Sequence, residues 1–191
     1  HVIEKNLVLL RTLGIESSKW TFPIEMPTTE ASIKLRRKLD MAEDNPFVLI
    51  NPNAGWSNKR WPPDRFGALA SWLWKSYKLP TVIAWGPSEY GRALEVVEAS
   101  EGAARLAPST TIADLVSLVR EASLMVSGDS GPLHIAAALG TPIVGIYGPT
   151  AVERNGPWAV NDVTVSRHIS CSCVHRRRCY AETRCLDDIT M

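Results

Sequence analysis

Cysteine is missing from everything before Cys171, and all four copies fall between Cys171 and Cys185. A disulfide-built secreted fold spreads its bridges through the chain, so the body of this protein must hold together by packing, and its lack of thiols suits a reducing cytosol. An excess of one charge is missing too. The 21 Lys and Arg and 20 Asp and Glu leave a net charge of +1, so composition points to neither nucleic acid nor an acidic surface as partner. No apolar run reaches the length a bilayer requires, and the opening His1-Val-Ile-Glu-Lys5 lacks the pattern of a signal peptide, so no transmembrane segment is expected. There is no internal repeat and no low-complexity stretch. No Gly-x-Gly-x-x-Gly follows the first strand, which weakens a dinucleotide-oxidoreductase reading.

What is present is a regular alternation. Apolar runs at Phe47 to Pro52, Thr81 to Trp85, Ala104 to Ala107, Leu124 to Val126, Ile143 to Tyr147 and Val163 to Ser166 read as strands, the first too apolar for an exposed one. Between them lie helical patterns. Pro63-Asp64 opens one with Phe66, Leu69, Ala70 and Leu73 inward; a second follows Tyr90 with Leu94, Val96 and Val97 inward. A third begins in Pro108 to Asp114, where Thr111 and Asp114 form a capping box, and buries Leu115, Leu118 and Val119. Residues 1 to 14 predict a helix with an apolar stripe at Val2, Ile3, Leu7, Leu10 and Leu13. Pro23 and Pro27 then mark an extended connection before a charged helix from Thr29 to Glu43. Glu153 to Trp158 reads as a loop. Five of the seven tryptophans, Trp56, Trp61, Trp72, Trp74 and Trp85, are expected in the core and in a cleft wall. The expected class is α/β, with a doubly wound parallel sheet, since strand–helix units joined by short connections build that sheet. The 191 residues suffice for one such domain and not for two.

In an open parallel sheet, ligands sit beyond the carboxyl ends of the strands. The richest such junction is Val126 to Gly140, where an apolar run stops at a Ser/Gly/Asp turn and an Ala-rich helix opens at Pro132. Proline suits the first helical position, making Gly131 the expected N-cap. The amides of Gly131, Leu133 and His134, with the positive end of the helix dipole, then favour an anion such as a phosphate. The His134 ring either adds a donor to that anion or packs in the core. Lys59, in the polar loop after the first strand, is either a phosphate partner or a solvated lysine. Asp129 is poorly suited to a phosphate and better used to accept from a sugar hydroxyl or as a local cap. Glu89 either accepts from ribose hydroxyls or meets a helix dipole. The four cysteines, Cys171, Cys173, Cys179 and Cys185, are zinc thiolates with His175 in reserve, a disulfide or free thiols. Arg176 to Arg178 reads as a solvated basic turn.

Asp129-Ser-Gly-Pro-Leu-His134, continuing through Gly140-Thr-Pro142 to Tyr147-Gly-Pro-Thr150, resembles the donor-site signature of the bacterial heptosyltransferases, glycosyltransferase family nine. Lys59-Arg-Trp-Pro62 matches that family's Lys-x-Trp-Pro element. The resemblance implies the GT-B arrangement of two Rossmann-like domains across a cleft, with this chain as the C-terminal, donor-binding half. Residues 1–44 would be the crossover helix and linker, 45–166 the nucleotide-sugar domain, and 167–191 a Cys/Arg-rich tail ending before a final helix. It implies inverting transfer of heptose from ADP-heptose to lipopolysaccharide core, without metal or other cofactor, in the cytoplasm and peripherally at the inner membrane. Lys59 would contact the donor's phosphate or sugar, Glu89 the ribose, and Thr110 would line the base pocket, the residues themselves reading also as a threonine pair that caps the next helix. Asp129, Ser130, Gly131 and His134 would surround the phosphates and sugar, and Gly148 and Thr150 would floor the pocket. The catalytic base and the lipid-linked acceptor site would belong to the other domain, so the fragment alone would be inactive. Ala54 and Gly55 stand where some heptosyltransferases carry paired threonines, which leaves the donor sugar open. The rival readings are another GT-B nucleotide-sugar enzyme (an epimerase or N-acetylglucosamine transferase) and a non-catalytic nucleotide-binding module.

Overall fold

The structure, a computed structural model, describes residues 1–16, 21–24, 30–39, 41, 45–167, 169 and 171–191. Two helices, α1 (Val2–Arg11) and α2 (Glu30–Lys38), precede β1 (Val48–Asn51), α3 (Pro63–Tyr77) and β2 (Thr81–Ile83). Then come α4 (Tyr90–Ala99), β3 (Ala104–Leu106), α5 (Ile112–Glu121), β4 (Leu124–Gly128), α6 (Gly131–Leu139), β5 (Ile143–Tyr147), the short α7 (Val152–Asn155) and β6 (Val163–Ser166). The six strands form one sheet in the order β3-β2-β1-β4-β5-β6, and every pair in it is parallel. The chain steps outward from β1 to β3, then returns to the other side of β1 and steps outward again. That reversal opens a crevice at the carboxyl ends of β1 and β4, where ligands bind in sheets of this kind.

Strand residues point alternately to the two faces, and both faces are covered. Val48 and Ile50 pack with Phe66, Ala70 and Leu73 of α3 and with Ala93 and Val96 of α4. Leu49 faces the other way, among Leu118 and Val119 of α5, Met125, and Leu133 and Ala136 of α6. Each large aliphatic side chain taken fully from water in this way contributes on the order of 1.5–3 kcal/mol. Fixing both faces fixes the register, and the register sets which residues stand at the crevice.

Several expectations shift on inspection. α1 buries no residue: its stripe is only half-covered, Leu13 lies beyond its end and is exposed, and the helix stops at Arg11. The charged helix is limited to Glu30–Lys38; Pro27, Thr29 and residues 42–44 lie outside the described residues. In α4 it is Ala93 that is buried with Val96, while Leu94 and Val97 sit at the margin. The stretch beginning at Glu153 is not all loop, because Val152–Asn155 closes one helical turn. Trp72 and Trp74 point outward from α3, exposed at 46% and 44%, whereas Trp61 is buried edge-on against Phe66. A helix has one buried stripe, and in α3 Phe66, Ala70 and Leu73 already fill it.

The tail belongs to the core. Leu186, in a 3-10 turn at Cys185–Asp188, is fully buried, and Ile189 nearly so, on the α3/α4 face of the sheet. Trp61 Nε1 donates to the Ile189 carbonyl at 2.9 Å, and the Arg65 guanidinium donates to the same oxygen.

The α3/α4 contact depends on a missing side chain. A Cβ at Gly67 would lie 2.5 Å from Ala99 Cβ and 2.6 Å from the Ala99 carbonyl carbon, whereas one at Gly91 of α4 would meet nothing within 4 Å. Gly67→Ala is therefore expected to cost about 1–3 kcal/mol by overpacking, read as a lower urea midpoint. Gly91→Ala is expected to be neutral or stabilising by up to about 1 kcal/mol.

Candidate functional site

The crevice is tied together by one amide. Asn51, the last residue of β1 and 3% exposed, donates through Nδ2 to the Asn53 carbonyl (2.9 Å), to Ser130 Oγ (3.1 Å) and to Ser127 Oγ (3.2 Å). The two serine hydroxyls meet at 2.9 Å. This cluster fastens the turn after β4 to the end of β1. Ser130, not Gly131, is the N-cap of α6, and its hydroxyl faces the cluster instead of capping the helix. The helix thus starts one residue earlier than its proline suggested. The His134 amide is consequently spent on the Ser130 carbonyl at 3.3 Å. Gly131 and Leu133 keep amide hydrogens without a partner among the described residues, and Pro132 has none to give. Those two amides and the helix dipole are the anion-attracting part of the turn.

Lys59 reaches this turn from the other loop. It ends a 3-10 turn at Ser57–Lys59, and its carbonyl lies where a Cβ on Gly128 would stand 2.8 Å away, so only glycine lets the loop settle there. Its ammonium donates to Asp129 Oδ2 at 2.6 Å and sits 4.2 Å from the centre of the Trp56 ring. Asn155 Nδ2 reaches the same oxygen at 3.3 Å, and His134 Nε2 lies 3.3 Å from Asp129 Oδ1. Burial by itself would raise the Asp129 pKa. Hydrogen bonds from His134 and Lys59, the Lys59 charge and a weaker contribution from Thr150 outweigh it and hold the carboxyl well below the usual carboxylate range. The Thr150 hydroxyl is buried but outside hydrogen-bond geometry. Beneath, Tyr147 donates to the Asn155 carbonyl, and burial first, then the Asp129 charge, keeps its phenol protonated.

The sequence alternatives for these residues now separate. His134 is not a core histidine, its side chain being 45% exposed. Lys59 is not a solvated lysine, its side chain being 13% exposed. Asp129 is the counter-ion of Lys59 before it is anything else. Gly148 makes its close approach to the tail: a Cβ there would stand 2.7 Å from Leu186 Cγ and 3.2 Å from Cys185 Sγ.

Beside the start of α6 lies a cavity of about 140 Å³ lined by Asn51, Trp85, Glu89, Thr110, Ile112 and Pro132 among others. Glu89 precedes α4, and its Oε2 accepts from the Gly86 amide at 2.9 Å. Thr111 caps α5 in a capping box with Asp114, which leaves Thr110 to the cavity wall. Glu89 and Thr110, which the family resemblance would give to a nucleoside, line one hollow, and Pro132 lies both in its wall and in the amide turn.

Asn51, Ser127, Gly128 and Asn155 had no role in the sequence reading. An asparagine ending an apolar run is a weak signal, and the others act through partners far along the chain. The four cysteines are free thiols, with Cys173 and Cys179 sulfurs 3.7 Å apart. A hydrogen bond from the Tyr180 amide lowers the Cys173 pKa, whereas burial and the neighbouring Cys171 push Cys185 up to about 12. Among the described residues no three His, Cys, Asp or Glu side chains converge to hold a metal ion, and no helix is long and apolar enough to cross a membrane.

Comparison with known proteins follows the same lines. The family model of glycosyltransferase family 9 (heptosyltransferase) matches residues 1–184. Lipopolysaccharide heptosyltransferase 3 of Escherichia coli K12 is 32% identical over 168 residues, 84% of this chain and 48% of the relative. The lipopolysaccharide core heptosyltransferase OpsX of Haemophilus influenzae is 25% identical over 173 residues, 87% of this chain and 48% of the relative. The chain thus spans about half the length of these curated relatives. Among solved structures, a family 9 glycosyl transferase from Veillonella parvula superposes with a TM-score of 0.78 at 24% identity, covering 89% of this chain and 50% of that one. The E. coli heptosyltransferase WaaC with ADP gives 0.67 at 19% identity, covering 93% and 53%.

The ion pair at the crevice makes two predictions. A carboxyl whose folded pKa is depressed adds stability that is undiminished above about pH 5 and lost progressively below about pH 4, because the unfolded chain takes up its proton first. Urea midpoints measured from pH 7 to pH 3 should therefore fall more steeply for the native chain than for Asp129→Asn. In a double-mutant cycle at pH 7, Lys59→Met with Asp129→Asn should cost less than the two single changes added, with a coupling of roughly 0.5–3 kcal/mol.

Proposed function

The chain belongs to glycosyltransferase family 9, the heptosyltransferases, and from that premise we propose that it is the donor-binding half of an inverting enzyme that moves heptose from ADP-heptose to lipopolysaccharide core. The observation that carries this reading is the junction of two unlike subsites at Pro132. On one side is a hollow with a carboxylate and a hydroxyl, Glu89 and Thr110. On the other is a turn with free amides, a lysine and a half-exposed histidine. A nucleoside joined to a diphosphate has that same sequence of chemistries, and relatives named as heptosyltransferases, one of them solved with ADP, support it.

In this reading Glu89 accepts from ribose hydroxyls through Oε1, and Thr110 borders the base. Residues 45–166 hold the donor, residues 1–44 form the crossover and linker, and 167–191 the tail. The reaction takes place in the cytoplasm, at the inner-membrane surface, on a lipid-linked acceptor bound by the other half. Loss of the nucleotide builds negative charge on the phosphate oxygens. The Gly131 and Leu133 amides are fixed before the bond breaks, so they stabilise that charge without reorganising. The Lys59 ammonium has three donors; Asp129 takes one, which aims the remaining two. His134 Nε2 donates either to Asp129 or to the departing phosphate, and Ser130 and Thr150 border the same space. The general base that takes the acceptor's proton comes from the other half.

Calorimetric titration of the 191-residue chain tests this. ADP is expected to bind weakly, and more tightly than UDP or GDP, and no transfer to acceptor is expected from the chain alone. Tighter binding of UDP would move the protein to a different GT-B chemistry. Measurable transfer by this chain alone would overturn the division of labour.

A further inference from the structure

The donor site as described so far is short of positive charge. Asp129 faces Lys59 at 2.6 Å and cancels it, whereas a diphosphate brings roughly two or more negative charges. Amide hydrogens and one helix end offset only part of that. Other guanidiniums in the loops and helix around the site are tied to backbone carbonyls: Arg60 through Nε to Ala54, Arg92 to Pro52 and Trp61, and Arg65 to Ile189.

The tail delivers another. The His175 amide donates to the Pro149 carbonyl, just after β5, at 2.6 Å, and Asn58 Nδ2 donates to the Arg176 carbonyl at 2.8 Å. The turn is thus pinned to both loops that build the site, and it bends back sharply at His175, whose φ is 57°. Arg177 comes next. Its Cζ lies 5.8 Å from the centre of the Trp56 ring, the ring that also carries the Lys59 ammonium at 4.2 Å. Arg177 is exposed and meets no carboxylate among the described residues. A weakly hydrated guanidinium held against an aromatic plane keeps its fork of donors free and costs little to redirect, which suits bidentate capture of a phosphate.

We propose that Arg177 is a second cation of the diphosphate site, binding the donor's pyrophosphate alongside Lys59, so that the Cys/Arg-rich tail contributes directly to the ligand site. This rests on the donor-binding reading above. Arg176 to Arg178 are all exposed, as a solvated turn requires, and Arg177 is the one whose guanidinium is recorded against the Trp56 ring.

The test is titration of the 191-residue chain with ADP, AMP and adenosine, for the native sequence, Arg177→Gln, Arg177→Lys and Arg178→Gln, with thermal melts to confirm equal folding. Arg177→Gln should weaken ADP about tenfold, the loss expected for one charged hydrogen-bonding group, and leave adenosine unchanged. Arg177→Lys should recover part of the loss, and Arg178→Gln should match the native chain. Three results overturn the proposal: unchanged ADP affinity in Arg177→Gln, equal weakening by Arg177→Gln and Arg178→Gln, or equal loss of ADP and adenosine. If the native chain binds no ADP, the donor-binding reading itself fails, a result distinct from those three.

Discussion

A carboxylate taken out of water beside a lysine from a different loop is the interaction on which the crevice turns. Asp129 follows β4 and Lys59 follows β1, and their contact bridges the two strands at which the sheet order reverses. Burying the carboxylate is costly by itself, and the attraction repays that cost only where geometry and further hydrogen bonds are good. Here Asn155 and His134 supply the further contacts. The consequence is mutual: the lysine stabilises the charged acid, and the acid holds the lysine beside the turn that opens α6.

Around that pair the chain spends small and polar residues where a core would ordinarily carry bulk. Gly128 lets the Lys59 backbone lie against β4, Gly148 lets the tail lie against the end of β5, and Asn51 links the buried Ser127 and the half-buried Ser130 to its own strand. Each feature narrows the distance between loops that are remote in sequence. The tail completes the arrangement by filling the α3/α4 face with Leu186 and Ile189 while its basic turn touches Trp56. One segment therefore serves both packing and, in our reading, the ligand site.

In our reading the charge on the departing nucleotide is stabilised by fixed dipoles and cations, which have to be in place before it leaves. The Asn51 cluster meets that need for the amides and Asp129 meets it for Lys59. In that reading the phosphate end is held by contacts already made within the protein. The nucleoside end, in the same reading, is the hollow of about 140 Å³ lined by Glu89 and Thr110 at the starts of α4 and α5.

The strands, the parallel α/β class and the helix that opens after β4 were legible in the sequence, because short continuous apolar runs, a Ser/Gly/Asp break and a proline at a helix start are local signals. The capping box at Thr111 and Asp114 was legible for the same reason. Which serine or glycine caps α6 was not, since Ser130 is drawn away by Asn51, 79 positions distant. Nor were the exposure of Trp72 and Trp74, the close fit of Gly148 to Leu186, or the pairing of Lys59 with Asp129. Those follow from which faces meet once the sheet is assembled. Local periodicity determined the elements and their order; only tertiary packing decided which polar side chains face one another across the crevice, because hydrogen bonds and ion pairs depend on distances in space that spacing along the chain does not encode.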